Sequence, residues 1–130
     1  MKFSVLLTAT WVAALLSACA QAPLAPPSGL MEVAERPAEK ALLAGIRAYD
    51  DAQYPEAEKQ FVQALKAGLT SARDRAAANK YLAFVYCTSK RSAECEAAFR
   101  SARAADPGFA LNKSEAGHPL WGPVYKRVQP

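Results

Sequence analysis

Tyr54-Pro55-Glu56-Ala57-Glu58-Lys59-Gln60-Phe61-Val62-Gln63-Ala64-Leu65 has a counterpart further along the chain, Ser92-Ala93-Glu94-Cys95-Glu96-Ala97-Ala98-Phe99-Arg100-Ser101-Ala102. Each stretch places a small residue (Ala57, Cys95), then an aromatic (Phe61, Phe99), then another small residue (Ala64, Ala102) at intervals of four and three. That spacing sets the side chains on one face of an α-helix. Pro55 suits an opening turn, Gly68 a C-terminal cap, and Ser92 reads as the N-cap of the later helix. Asp106-Pro107 ends it.

A helix precedes each of these two. Pro37 fits a first helical position and Glu39 a first turn, and Leu42, Ile46 and Tyr49 then form a stripe that breaks at Asp50-Asp51. The second runs from about Ser71 to Thr88 and is expected to bury Ala78, Leu82, Val85 and Tyr86. No stretch alternates as a strand does, so the fold class is all-α.

The two helix pairs repeat each other. Gly45, Tyr54, Ala57, Phe61 and Ala64 in the first, with Leu65 after them, correspond to Ala83, Ser92, Cys95, Phe99 and Ala102 in the second, where Leu65 has no apolar counterpart. Leu82 stands just ahead and Pro107 closes the unit. Over residues 39–107 this pattern resembles the tetratricopeptide repeat (TPR), in which small residues let antiparallel helices approach and an aromatic fills the gap to the next pair. The chain departs from that family twice. Its units are offset by 38 residues, against about 34 in the family, and Cys95 replaces the usual alanine. A longer loop around Thr70 to Asp74 would absorb the difference. Two units leave outer faces uncovered, so a cap is required. The apolar tail of Phe109, Leu111, Trp121, Val124 and Tyr125 has the weight for one, punctuated by Gly117-His118-Pro119 and Gly122-Pro123. Trp121 reads as a capping wedge and His118 as a turn residue.

The start of the chain has another character. Lys2 precedes an apolar run from Phe3 to Leu16, and Leu16-Ser17-Ala18-Cys19 follows. This is a secretory signal, and it resembles the lipobox of bacterial lipoproteins. That resemblance implies cleavage before Cys19, acylation of its thiol and of the new amine, and a durable membrane anchor. The alternatives are a plain signal peptide or an uncleaved anchor. The expected division is a signal peptide over 1–18, a lipidated Cys19 with an Ala/Pro-rich tether over 19–36, and a helical domain over 37–130. Leu30 to Val33 are expected to form a short turn against that domain. Ala20, where an aspartate would resemble the inner-membrane retention signal, points to the outer membrane facing the periplasm.

Removing Lys2 lowers the net charge of +4 by one. Basic residues alternate with acidic ones along the expected helices, which reads as a solvated surface. Three cysteines become a lipidation site and a pair, Cys87 and Cys95. In an oxidising compartment the pair reads as a structural disulfide, with two free buried thiols as the alternative. Each lies four residues from a turn near Arg91, about 6 Å of helical rise, so the two share one level.

No nucleophile with histidine and acidic partners, phosphate-binding glycine loop or metal-ligand spacing is present, so no enzyme, cofactor, metal or small-molecule substrate is expected, and a periplasmic location makes nucleic acid an implausible partner. Glu56, Glu58, Glu94 and Glu96 read as solvated helix surface. By the TPR resemblance the first helix of each pair lines a groove. This maps Leu42, Ile46, Tyr49 and Asp50, then Lys80, Phe84 and Thr88, onto partner contacts, although Ile46 and Phe84 also suit a core. The lipobox, short Pro-rich tether, paired helices with one Cys pair and tail from Asp106 to Tyr125 together resemble the small TPR-type lipoproteins of bacterial type VI secretion, the TssQ type. That resemblance implies an accessory envelope component that contacts the secretion apparatus. The alternative is an envelope-maintenance lipoprotein that binds the cell wall or assists outer-membrane assembly.

Overall fold

A computed structural model describes residues 29–130; Cys19 and the signal sequence lie outside the described residues. Among the described residues every regular element is helical. In chain order these are α1 (Leu30–Ala34), α2 (Pro37–Asp50), α3 (Tyr54–Ala67), α4 (Ala72–Thr88), α5 (Ser92–Ala105), α6 (Lys113–Ala116) and α7 (Gly122–Arg127). The most extensive packing is α2 on α3 and α4 on α5, with α3 against α4 joining the pairs.

Both pairs turn in the same way. Ala52 and Lys90 take positive φ of 57° and 62°. The next amides, of Gln53 and Arg91, each donate back to the preceding helix, to the carbonyls of Ala48 and Tyr86, at 2.8 Å. A left-handed non-glycine residue costs about 1 kcal/mol or more, and here the two closures satisfy carbonyls that the helix end leaves open. The helix ends at Asp50 and Thr88, the positive-φ residues and the starts and ends of α3 and α5 all recur at the offset of the sequence repeat. Only the start of α4 breaks this register.

That start agrees with the helix expected from about Ser71 and corrects the longer loop expected over the same residues. The residues assigned to a longer loop around Thr70 to Asp74 mostly extend α4 by about a turn, and Asp74 lies inside it. Ser71 caps the helix by accepting a hydrogen bond from the Asp74 amide at 3.2 Å. The Asp74 carboxylate then favours the N-terminal dipole. The cap expected at Ser92 is also displaced. Ser92 is the first helical residue, and Arg91 holds the N-cap position without a side-chain cap. The tight closure at Lys90 brings the chain into helical geometry one residue early. Leu30 and Met31 form part of α1 but remain 85% and 75% exposed, so this segment buries none of its residues against the domain.

The core follows the aromatic positions of the repeat. Phe61 and Phe99 are both fully buried, as are Ala57, Ala64, Ala83, Cys95 and Ala102. Gly45 faces Phe61 so closely that a Cβ there would stand 2.7 Å from the ring. At the equivalent place in the second pair, Ala83 faces solvent-free packing instead. Phe61 stacks on Tyr81 (5.2 Å), and Phe99 packs on Tyr125 (5.3 Å). Tyr125 of α7 thus fills for the second pair the role that Tyr81 of α4 fills for the first. Its hydroxyl accepts from the Leu111 amide at 3.0 Å. Tyr86, expected in the core, is half-buried beneath Arg91, whose guanidinium carbon lies 4.3 Å from the ring centroid.

Cys87 and Cys95 join α4 to α5 at a Cα–Cα distance of 5.2 Å. Closing so short a loop stabilises by about 2.5 kcal/mol on the chain-entropy argument. A Cys87→Ser protein, or the native one in reductant, should therefore melt about 10 °C or more lower. Equal melting temperatures with and without reductant would contradict this.

Candidate functional site

The groove residues named from sequence do not share one environment. Leu42 and Phe84 are buried, Ile46, Tyr49, Lys80 and Thr88 are half-buried, and Asp50 is exposed. Phe84 is core for a reason that helical spacing does not carry: the tail folds back over α4. Trp121 stacks on Phe84 with centroids 4.2 Å apart and an interplanar angle of 22°. His118 stacks on Trp121 at 3.4 Å, and its Nδ1 accepts from the Leu120 amide. His118 is thereby a turn residue that packs on the wedge.

The segment ahead of Trp121 fastens to the same face. Asn112 and Glu115 form a reciprocal capping box at α6, which holds the Glu115 side chain near α4. The Glu115 carboxylate pairs with Lys80 at 2.7 Å. The Trp121 indole donates to the Glu115 carbonyl at 2.9 Å. The Lys80 ammonium also lies 4.8 Å from the Tyr81 ring centroid and 5.6 Å from that of Phe84. Of the proposed contacts on α4, Phe84 and Lys80 are therefore engaged by the protein's own tail.

Three half-buried tyrosines meet at the junction of α2, α3 and α4. Tyr49 packs against Tyr54 at 5.6 Å and Tyr81 at 5.1 Å. Among the described residues no buried side-chain oxygen or nitrogen lacks a hydrogen-bond partner, so these phenols satisfy themselves in water. Burial pushes the Tyr49 hydroxyl up to about 12, helped by Tyr54, Tyr81 and the negative charge of Asp50 and Glu115. Of these residues, sequence reasoning had marked Tyr54 as a repeat position only and had passed over Tyr81 and Glu115. Tyr81 is discernible afterwards, because it stands one turn from Val85 on a helix with apolar residues on more than one side. Glu115 carried no signal, since its role depends on the fold of the tail.

Among the described residues no cluster of three or more His, Cys, Asp or Glu side chains is arranged to hold a metal ion. No described helix is long and apolar enough to cross a membrane. The chain matches no family model, no curated protein and no solved structure.

Proposed function

We propose that this protein is a membrane-anchored, non-enzymatic scaffold for protein–protein contacts in the bacterial envelope, and an accessory lipoprotein of a type VI secretion system. The observation that carries the reading is the union of two features in one chain. The Leu16-Ser17-Ala18-Cys19 lipobox precedes a Pro-rich tether. Beyond it stand two helix pairs whose turns and helix ends recur in register. Repeated pairs of this kind support a TPR-like reading, since such units function by presenting an extended surface to a partner. The tail through Trp121 serves as the cap that a two-unit array needs.

In this reading acyl chains on Cys19 hold the protein to the outer membrane, facing the periplasm. Two or more chains make such attachment durable where one does not. The tether sets the reach: at about 3 Å per residue when extended, it holds the helical domain up to a few tens of Å from the bilayer. Placing a binding domain at fixed range from a membrane raises its effective concentration toward partners in the same envelope.

Replacing Cys19 with Ser tests the anchor and its purpose together. The variant should leave the membrane pellet for the soluble periplasmic fraction and reduce secretion through the apparatus. A variant that stays with the membranes through an alkaline wash, or that secretes at the native level once released, refutes the proposal.

A further inference from the structure

Twice in this fold a cation lies on an aromatic ring and is held by a carboxylate. Lys80 sits over Tyr81 and pairs with Glu115. Arg91 sits over Tyr86 and bonds both oxygens of Glu58, at 2.9 and 3.0 Å. The Tyr49–Tyr54 pair beside Asp50 has the same parts without the cation. Its rings lie 5.6 Å apart, and Asp50 and Asp51 are exposed at the end of α2. Among the described residues neither Asp50 nor Asp51 has a salt-bridge partner within 4.0 Å.

These two carboxylates are also badly placed for the helix that carries them. The C-terminal end of a helix favours cations, and negative charge there is unfavourable. The corresponding positions of the second pair are the uncharged Thr88 and Ser89. The negative charge at the first pair therefore opposes the α2 dipole, with Arg47 as the basic residue of that last turn.

From this arrangement we infer that the Tyr49–Tyr54 pair with Asp50 docks an arginine side chain of a partner protein; Tyr81, already stacked on Phe61 and covered by Lys80, backs the pair. A guanidinium stacks on tyrosine faces while its N–H groups reach a carboxylate, which an ammonium does less well. The Tyr49 hydroxyl, pushed up by burial, stays protonated and can donate a hydrogen bond. The inference deepens the scaffold reading by naming what the partner presents.

The test uses the full-length lipidated chain in detergent micelles, followed by aromatic NMR of its tyrosine rings. The probes are acetyl-Gly-Ser-Arg-Ser-Gly-amide and the same peptide with neutral citrulline in place of arginine. The arginine peptide should shift the Tyr49 and Tyr54 resonances, and the citrulline peptide should do so much less. Asp50→Asn, at an exposed position, should weaken arginine-peptide binding about threefold, the size expected of a solvent-screened ion pair. Equal shifts from both peptides, no shift at these rings, or full binding by Asp50→Asn would overturn the inference. The readout is independent of the anchor, so such a failure leaves the Cys19→Ser experiment to decide the membrane reading separately.

Discussion

Trp121→Ala should lower the stability of the helical domain by about 3–5 kcal/mol, the range for truncating a large buried aromatic. The indole is 8% exposed and lies between Phe84 on one face and His118 on the other. Its loss removes the stack at 4.2 Å and uncovers Phe84, which itself packs edge-on to Phe99 at 6.1 Å. It also removes the indole hydrogen bond that holds the Glu115 carbonyl, loosening the segment tied to Lys80. For a domain of about 100 residues each kcal/mol moves Tm by about 4–8 °C, so the melting temperature should fall by at least 12 °C or so. A small domain holds little more than this in reserve, and partial unfolding at ambient temperature is the expected outcome. Leu120→Ala is the control: its side chain is 52% exposed one residue away, and it should be neutral to within about 0.5 kcal/mol. Circular dichroism melts of the three proteins check both statements, and a neutral Trp121→Ala would mean that the tail does not cap the second helix pair.

The second large effect is expected at Gly45. On an exposed helix, replacing glycine by alanine stabilises by up to about 1 kcal/mol. Here the sign reverses, because an added Cβ would meet Cδ1 and Cε1 of Phe61 at 2.7 Å. The ring has no room to retreat: Phe61 is fully buried and stacked on Tyr81 with planes 10° apart. Gly45→Val adds branched bulk to the same clash and should cost about 3 kcal/mol, the upper part of the usual range for overpacking. Phe61→Leu in the same chain makes space and should recover part of that loss, a non-additivity that a double-mutant cycle measures. A Gly45→Val protein as stable as the native one would show that the first pair does not rely on close helix approach.

The packing of the first pair was legible in the sequence, because small residues and an aromatic at helical spacing specify which faces meet. Gly45, Ala57, Phe61 and Ala64 sit where that spacing places them, and Cys87 and Cys95 face each other at the level that counting from the turn gives. The span of α4 was legible to within a residue, Ser71 to Thr88 against Ala72–Thr88, but the place of the surplus residues of the repeat was not. Ser71 and Asp74 make a capping signal, but a four-residue surplus in a repeat reads equally well as loop. The tail was legible in apolar weight and not in direction. Periodicity describes one helix at a time, whereas the burial of Phe84 and the pairing of Lys80 arise from residues 115 and 121 returning across α4. The tyrosine face escaped notice for the same reason, since it draws one ring from each of α2, α3 and α4.

The central claim is that this protein is an anchored scaffold serving a secretion apparatus, and its partner decides it. A photo-crosslinking amino acid in place of the exposed Gln53, in the otherwise native chain in its own cells, sits beside the aromatic pair without removing Tyr49, Tyr54 or Asp50. Crosslinked products identified by mass spectrometry should contain membrane components of a type VI secretion apparatus, and they should vanish when Cys19 is also changed to Ser. Adducts confined to cell-wall or outer-membrane assembly factors, or adducts to the apparatus that persist without Cys19, would contradict the account.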